Sequence, residues 1–276
     1  MKIIDGKSIS AAIRADLKEK ISKKDRKPSL AVVIVGEDPA SKIYVRNKVK
    51  ACEEVGIRSL SYQLSATATQ TEVEALLDKL AADSSIDGIL LQLPLPKGLN
   101  AESAMARIPV EKDVDGFSAE NLGKLALDES GMVACTPLGV MWLLKEEGVE
   151  LTGKHAVVLG RSDTVGKPMA MLLLNANATV TVCHSKTANV KEICRQADVI
   201  VAAVGSPKYV TADMVKEGAI VIDVGMNRDE NGKLCGDVHF DEVSQKSALI
   251  TPVPGGVGPM TIAMLMCNTY KAAYKE

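Results

Sequence analysis

The chain has 276 residues, of which 46% are hydrophobic and 25% charged, as is typical of a soluble globular protein with one large domain or two smaller ones. The net charge of −2, without a cluster of lysine and arginine, argues against nucleic-acid binding, and aromatic residues at 3% are too few for a base-stacking surface. No apolar run reaches the roughly 18 residues of a membrane span, so a membrane is not an expected partner either.

The six cysteines form no C-x-x-C pair and no metal-ligand spacing with the three histidines. We interpret them as reduced thiols in a cytoplasmic compartment, and we expect no metal site. The N-terminal sequence also lacks the apolar core of a signal peptide.

The first hundred residues alternate between helical and strand patterns. In chain order the predicted elements are a helix at 8–22, a strand at 30–35, a helix after Asp38, a strand at 57–64, a helix at 71–82 and a strand at 86–93. This β-α-β-α-β order predicts a parallel sheet with helices on both faces.

The helix after Asp38 carries one lysine on its apolar side. At about 100° per residue, the buried stripe and its border contain Ser41, Tyr44, Val45, Lys48, Val49, Cys52 and Val55. Burying an ammonium is costly without partners and favours the neutral amine, which suits proton transfer. The alternative is a lysine whose stem is buried and whose charged end reaches water.

Two polar features follow. Gln92 is the only polar residue of its strand and lies near the carboxyl end, where parallel sheets bind ligands, although a neighbouring loop could equally satisfy its amide. The turn-rich segment 112–116 carries Asp113 and Asp115, and a carboxylate there either accepts two hydrogen bonds from an amidine-like ligand edge or caps the turn. A helix at 138–147, opened by 135–137, follows this irregular region, which we interpret as a hinge between two domains.

The second half begins with a strand at 154–160 that runs into a glycine turn, Gly160–Gly166, and a helix at 169–175. Strand, glycine turn and helix are the context of a dinucleotide-binding turn, in which backbone N–H groups and the helix dipole hold a pyrophosphate. The spacing departs from G-x-G-x-x-G because Ser162 replaces the middle glycine and the last glycine comes one residue late. The motif alone is therefore weak.

The next strand, at 179–183, indicates which cofactor the turn would bind. An acidic residue that binds the ribose 2′-hydroxyl of NAD is expected near its end, but His184-Ser185-Lys186 stands there. With Arg161 close by, a 2′-phosphate fits better, so the sequence favours NADP over NAD. Ser185 could also cap a helix beginning near Thr187.

The remaining sequence predicts strands at 198–204 and 219–224, followed by glycine-containing segments where a nicotinamide would lie. The run 251–261 is rich in glycine and proline and predicts a stiff loop able to approach a flat ligand. A final helix at 261–271 completes the chain and returns to the first domain in this interpretation.

Eight segments resemble, in order and over nearly the whole chain, the bifunctional methylenetetrahydrofolate dehydrogenase/methenyltetrahydrofolate cyclohydrolase family. They are 38–48 (DPASKIYVRNK), 88–96, 112–116, 135–137, 160–162, 184–187, 223–225 and 252–261. The resemblance implies two three-layer α/β domains with parallel sheets and an active-site cleft between them. The folate-binding catalytic domain would comprise 1–135 with the C-terminal helix 260–276, and the Rossmann-type NADP-binding domain 136–259.

The resemblance also implies the reaction. The enzyme would oxidise 5,10-methylenetetrahydrofolate with NADP, then hydrolyse the 5,10-methenyl product to 10-formyltetrahydrofolate, in one-carbon metabolism and purine biosynthesis. It implies that Lys48 is the general acid/base, that Gln92 tunes it, that Tyr44 stacks along the folate and that Asp115 grips the pterin amino edge. A homodimer is expected on the same basis.

The implied contacts fall into two groups. The cofactor group contains Gly160, Arg161, Ser162, Ser185 and Met226. The substrate group contains Tyr44, Lys48, Leu91, Gln92, Leu93, Asp115, Pro254, Gly255, Gly256, Val257 and Gly258.

Three other classes fit parts of the pattern. A shikimate dehydrogenase-like enzyme also has a catalytic lysine ahead of a nucleotide domain. A short-chain dehydrogenase carries Tyr-x-x-x-Lys, as at 44–48, but there the pair follows the glycine turn and here it precedes it. A catalytically silent NADP-binding regulatory module would not need Lys48, Gln92 and Asp115 together.

Overall fold

The computed structural model describes residues 1–275, with residues 39–42 described by their backbone alone. The helices of this part are α1 (Gly6–Ser22), α2 (Pro39–Val55), α3 (Gln70–Ala82), α4 (Ala101–Met105), α5 (Ala119–Ala126), α6 (Cys135–Glu146), α7 (Gly166–Asn175), α8 (Val190–Cys194), α9 (Phe240–Val243) and α10 (Val257–Tyr274). The strands are β1 (Lys2–Ile3), β2 (Ser29–Val35), β3 (Arg58–Leu64), β4 (Gly88–Leu91), β5 (His155–Leu159), β6 (Thr179–Cys183), β7 (Val199–Ala202), β8 (Ile220–Asp223), β9 (Asn227–Arg228), β10 (Leu234–Cys235) and β11 (Leu249–Ile250).

The chain divides into two compact units, named here by their main sheets. The three-stranded unit contains 11–124, 129–135 and the chain from 262 onwards; the six-stranded unit contains 1–10, 125–128 and 136–261. Across residues 1–275, no helix combines the length and the apolarity that crossing a membrane requires.

The three-stranded unit is built around a fully buried central strand. Its sheet has the order β3-β2-β4, and both pairs are parallel, with Leu30 opposite Ser59 and Gly88. Every residue of β2, the central strand, is buried, whereas β3, at the edge, has only exposed and half-buried residues. The predicted parallel β-α-β-α-β arrangement is therefore confirmed.

The six-stranded unit has a sheet of order β1-β11-β8-β7-β5-β6, parallel throughout. Starting from β5, the chain adds β6 on one side and β7, β8 and β11 on the other. The order thus reverses between β5 and β7, and ligands of open parallel sheets bind outside the carboxyl ends of the strands at such a point. The two-residue strand β1 was not expected from the sequence; Lys2 pairs with Leu249.

Several predicted boundaries were wrong. Strand β4 ends at Leu91 rather than at 93, and the region taken as irregular contains α4 and α5. Five- and eight-residue helices show too little periodicity to be recognised, although Asn100 caps α4 by accepting a hydrogen bond from the Ser103 N–H at 3.0 Å. Helix α10 begins at Val257 rather than at 261, because the proline that suggested a loop, Pro259, lies in its first turn, where proline is tolerated.

Candidate functional site

Lys48 lies on the buried side of α2, as predicted. Its side chain is 9% exposed, and its Nζ donates a hydrogen bond of 3.0 Å to Oε1 of Gln92. The charged residues on the opposite side of this helix, Arg46, Lys50, Glu53 and Glu54, are all exposed. The near-complete burial of the residue and this contact favour the predicted inward position over the alternative in which the charged end reaches water. The predicted orientation of Ser41 concerns a side chain outside the described residues.

Gln92 is fixed immediately after β4. Its backbone N–H donates to the carbonyl of Val33 at 2.8 Å, and its Nε2 donates to the carbonyl of Leu93 at 2.7 Å. Because the amide nitrogen is held by this loop carbonyl, the amide oxygen points at Lys48. The interpretation in which a neighbouring loop satisfies the amide is confirmed, and contact of Gln92 with a ligand stays a prediction.

Asp113 and Asp115, only two residues apart, have different surroundings. The Asp113 carboxylate, 4% exposed, accepts hydrogen bonds from four donors, which are the backbone N–H groups of Gly116 (3.1 Å), Phe117 (3.2 Å) and Ser118 (2.8 Å) and the side-chain amide of Asn121 (2.9 Å). Asp113 therefore caps the turn, and sequence reasoning did not select it as a site residue.

The surroundings of Asp115 are those of a pocket rather than of a turn. Its carboxyl group lies beside the thiol of Cys135; burial raises the pKa of Asp115, with the charge of Asp113 adding to the rise and that of Lys48 opposing it. Both aspartates line a small pocket together with apolar residues that include Ile89 and Leu91. Asp115 is thus a carboxyl group in a pocket wall, electrostatically coupled to Lys48.

Two residues of the predicted substrate group flank this arrangement. Tyr44 lies one helical turn before Lys48 and is 36% exposed, and burial of the rest of the side chain raises the pKa of its phenol. Leu93 is half-buried and follows Gln92 directly. The structure thus brings Lys48, Gln92 and Asp115 together in the three-stranded unit, with Tyr44 at the border.

The glycine turn between β5 and α7 is closely packed. A Cβ at Gly160 (φ +109°) would lie 2.2 Å from the carbonyl oxygen of Ala203, and one at Gly166 would lie 2.3 Å from the oxygen of Gly160. The Ser162 hydroxyl accepts hydrogen bonds from the N–H groups of Val165 (3.2 Å) and Gly166 (3.3 Å). The Ser162 hydroxyl thus satisfies the N–H groups at the start of α7, which begins at Gly166, three residues before the predicted start.

The predicted 2′-phosphate residues lie at the same edge of the six-stranded sheet. The Gly160 N–H donates to the carbonyl of Cys183 at 2.8 Å, which places the turn beside the end of β6. Arg161, Ser185 and Lys186 are all exposed there. These side chains fit a phosphate group, since the edge offers two cations and a hydroxyl.

The expected capping role of Ser185 was wrong. Helix α8 begins at Val190, and the residue before it is Asn189. The segment after β6 is instead a turn, in which the His184 N–H donates to the Thr187 hydroxyl at 2.9 Å and the Thr187 N–H to the His184 carbonyl at 2.8 Å. Thr187 therefore closes a turn at this position, and no helix begins there.

The remaining predicted contacts lie in the six-stranded unit. Met226 follows β8 and is 46% exposed. Pro254 and Gly258 are exposed, but Gly255, Gly256 and Val257 are buried. A Cβ at Gly6 would lie 1.9 Å from the oxygen of Gly256, so this stretch is packed against the start of α1. Substrate contact by 254–258 stays a prediction.

Sequence reasoning missed a second buried acid. Asp237 is fully buried and accepts hydrogen bonds from the segment that follows β7, and Asp223, at the end of β8, lies next to it. Burial raises the pKa of Asp223 to about 6, opposed by the backbone N–H groups of Asp237 and Val238 and assisted by the charge of Asp237. The only available signals were the Gly236-Asp237 pair, which usually indicates a turn, and an aspartate near the end of the strand predicted at 219–224.

Two family models match the chain. The catalytic domain of tetrahydrofolate dehydrogenase/cyclohydrolase matches residues 4–115, and the NAD(P)-binding domain of the same enzymes matches residues 134–276. The bifunctional protein FolD of Campylobacter curvus is 58% identical over 276 residues, covering 99% of this chain and 96% of that protein.

Solved structures agree. The bifunctional FolD dehydrogenase/cyclohydrolase from Campylobacter jejuni has a TM-score of 0.98 at 53% identity, covering 100% of this chain and 99% of that one. The Trypanosoma brucei enzyme, solved with NADP and an inhibitor, has a TM-score of 0.95 at 40% identity, covering 99% and 97%. Shikimate 5-dehydrogenase of Thermus thermophilus, with a TM-score of 0.59 at 17% identity over 90% and 94%, shares the fold alone.

Proposed function

The chain belongs to the tetrahydrofolate dehydrogenase/cyclohydrolase family, and from that premise we propose that Lys48 carries the proton transfers of its hydrolytic step. The enzyme oxidises 5,10-methylenetetrahydrofolate to the 5,10-methenyl cation with NADP, and it hydrolyses that cation to 10-formyltetrahydrofolate. The observation that carries the assignment is the hydrogen bond between the buried Lys48 Nζ and Gln92 Oε1.

The chemistry of the second step requires a group that handles protons. Water adds to the methenyl carbon, which lies between two nitrogens, and the water loses a proton as the new C–O bond forms. One C–N bond then breaks, and its nitrogen needs a proton. An amine held next to that carbon accepts the first proton and delivers the second, as a general base and then a general acid.

The neighbours of Lys48 orient this amine. Gln92 accepts one of its hydrogen bonds, while the loop carbonyl of Leu93 fixes the amide, so the position of Nζ is set by two linked contacts. Asp115 would accept two hydrogen bonds from the amino edge of the pterin, which the ionised carboxylate does best. Tyr44, at the exposed border of the helix, would stack along the folate.

The residues of the six-stranded unit fit NADP. The closely packed glycine turn brings the N-terminus of α7 next to the carboxyl end of β5, where the helix dipole favours a pyrophosphate, and the cations of Arg161 and Lys186 with the Ser185 hydroxyl suit a 2′-phosphate. Ser162 and Met226 complete the proposed contacts. When bound, NADP accepts the hydride that leaves the methylene carbon. We assign the folate-binding domain to 1–135 with 260–276 and the NADP domain to 136–259, except that residues 1–10 and 125–128 belong to the six-stranded unit.

Three further properties belong to the proposal. The family resemblance supports a homodimer and a place in one-carbon metabolism that supplies purine biosynthesis. All six cysteines are free, and four of them are buried, which supports a reducing cytoplasmic compartment.

A spectrophotometric assay with methylenetetrahydrofolate and either NADP or NAD tests this function. The absorbance of the methenyl compound should rise and then decay with NADP. In Lys48→Gln, hydrolysis of added methenyltetrahydrofolate should fall by roughly 10²–10⁴-fold, whereas hydride transfer, which depends mainly on positioning, should fall less. Lys50→Gln, an exposed lysine of the same helix, is the matched control and should behave as the parent. Undiminished hydrolysis in a folded Lys48→Gln would remove the assignment.

A further inference from the structure

The carboxylate of Asp237 holds the segment that follows β7. Its side chain is 0% exposed. Oδ2 accepts hydrogen bonds from the N–H groups of Val204 (2.6 Å) and Gly205 (3.0 Å), and Oδ1 accepts from the Ser206 N–H (2.9 Å) and the Asn227 amide (2.8 Å). One buried side chain therefore joins the segments that follow β7 and β8.

These segments lie where the sheet order reverses. Strand β7 is paired with β5, and Gly160 after β5 is packed against Ala203 after β7. The carboxyl ends of these two strands form the crevice in which an open parallel sheet binds its ligand. Val204–Ser206 is therefore a wall of that crevice, and its shape depends on Asp237.

Asp237 is itself fixed from behind by Asp223. Asp223 Oδ1 accepts the N–H of Asp237 at 2.9 Å, and Oδ2 accepts that of Val238 at 3.0 Å. The intervening Gly236 has to be glycine, because a Cβ there would lie 1.8 Å from Asp223 Oδ2. The Thr251 hydroxyl in turn accepts the N–H of Asp223 at 2.7 Å. The position of Asp237 is thus determined by a chain of buried contacts.

The chemistry of the position requires an ionised carboxylate. All four partners of Asp237 are donors, and a carboxylate offers two oxygens with enough lone pairs to accept from each of them. An asparagine would supply one oxygen and turn an NH₂ group towards N–H donors. A substitution of the same shape should therefore shift the 204–206 backbone.

We propose that Asp237 is a positioning residue for the cofactor site, which fixes Val204–Ser206 and Asn227 in the arrangement that binds NADP. The proposal rests on the proposed function, because it assumes that NADP occupies this crevice. The segments that donate to Asp237 lie in the six-stranded unit, whereas Lys48, which is proposed for hydrolysis, lies in the three-stranded unit. Loss of Asp237 should weaken NADP binding and leave hydrolysis of added methenyltetrahydrofolate intact.

The test measures NADP binding to Asp237→Asn by titration calorimetry, alongside both activities. We expect the Kd and the KM for NADP to rise by about tenfold or more, with a smaller change in kcat, while hydrolysis without NADP stays within about twofold of the parent. Asp241→Asn changes an exposed acid of the following helix and should leave the Kd unaltered.

A rescue separates positioning from general damage. In Asp237→Asn/Asn227→Asp, the new amide can donate to the new carboxylate, so NADP should bind more tightly than to Asp237→Asn. If Asp237→Asn does not fold, Asn227→Ala removes a single contact and should raise the Kd by a few fold with hydrolysis unchanged.

An unchanged Kd in folded Asp237→Asn and Asn227→Ala, or a loss of hydrolysis parallel to the loss of binding, would overturn the proposal. A parent protein that binds NADP but does not oxidise methylenetetrahydrofolate would instead contradict the proposed function. The two failures are therefore distinguishable.

Discussion

Each unit contains a buried aspartate that accepts hydrogen bonds from three successive backbone N–H groups and one asparagine amide. The partners of Asp113 lie only 3, 4, 5 and 8 residues further along the chain. The backbone partners of Asp237 lie 33, 32 and 31 residues before it, and its asparagine lies 10 residues before it. The same chemical device thus closes a local turn in one unit and joins distant segments in the other.

This difference in chain separation determines which parts of the fold must be in place before each set of hydrogen bonds can form. The Asp113 group closes a short loop and can form as soon as its own turn forms, since closing a short loop loses little chain entropy. The Asp237 group exists only after β7 and β8 have paired, because its donors follow one strand and its asparagine the other. We infer that the wall of the cofactor crevice depends on the sheet, whereas the turn that presents Asp115 depends mainly on its own sequence.

The largest expected effect comes from removing each of the two carboxylates in a separate variant. Asp113→Ala and Asp237→Ala each leave four donors without their acceptor, and an unsatisfied buried donor costs about 1–3 kcal/mol. Each variant should therefore lose at least about 3 kcal/mol of unfolding free energy. The loss should be larger for Asp237→Ala. The turn around Asp113 can rearrange locally after the carboxylate is removed, whereas the donors of Asp237 lie in segments that are held in place by the sheet.

Denaturant unfolding provides the measurement. The single tryptophan, Trp142, lies in the six-stranded unit, so its fluorescence should report the loss in Asp237→Ala, and circular dichroism the loss in both variants. Glu111→Ala and Asp241→Ala, which change exposed acids nearby, are the matched controls. Equal losses in the two variants would show that chain separation does not matter here.

A second effect concerns only the six-stranded unit, where Asp223 supports Asp237. Burial raises the pKa of folded Asp223 from the ordinary 3.8 to about 6, so the folded state binds the proton more tightly than the unfolded state. Its contribution to stability is therefore fully present below about pH 4 and is lost as the pH rises through about 6, a change of about 3 kcal/mol.

Urea unfolding of the parent and of Asp223→Asn between pH 4 and pH 7 tests this sign. The parent should lose more stability than the variant as the pH rises, because the variant cannot ionise at this position. If the two proteins show the same pH dependence, Asp223 is not the group responsible.

The comparison also shows which features the sequence could reveal. Lys48 was predicted to be buried because its own helix supplies the periodicity, and the glycine turn after β5 was predicted because strand, turn and helix are consecutive. The segment 112–116 was predicted as a turn, and whether a carboxylate there binds a ligand or caps the turn was left open. All of these signals lie within about twenty residues of chain, the range over which patterns can be recognised.

The missed features depend on contacts over longer distances. Apart from a Gly-Asp pair, Asp237 gave no signal, because the N–H groups that donate to it lie in a different strand connection. Strand β1 has two residues and becomes a strand only by pairing with β11. The start of α10 was missed because packing of Val257, which is 3% exposed, outweighs the local preference of a glycine- and proline-rich sequence.

The smallest expected effect compares the two asparagines. Asn121 is 2% exposed, donates to Asp113 at 2.9 Å and to the carbonyl of Val110 at 3.3 Å, and accepts from the Met132 N–H at 3.0 Å. Asn227 is half-buried and donates to Asp237 at 2.8 Å. Asn121→Ala should therefore lower the unfolding free energy by about 2–3 kcal/mol and Asn227→Ala by about 1 kcal/mol.

For NADP binding, the order of the same two variants should be reversed, so that Asn227→Ala has the larger effect. Asn121→Ala loosens the turn that presents Asp115, so it should raise the KM for folate in both reactions and leave the Kd for NADP unchanged. Asn227→Ala should weaken NADP binding and leave the hydrolytic KM unchanged, although it is the less destabilising of the two. If NADP affinity followed the loss of stability instead, the more damaging Asn121→Ala would show the weaker binding, and the two aspartate groups would not serve separate ligands.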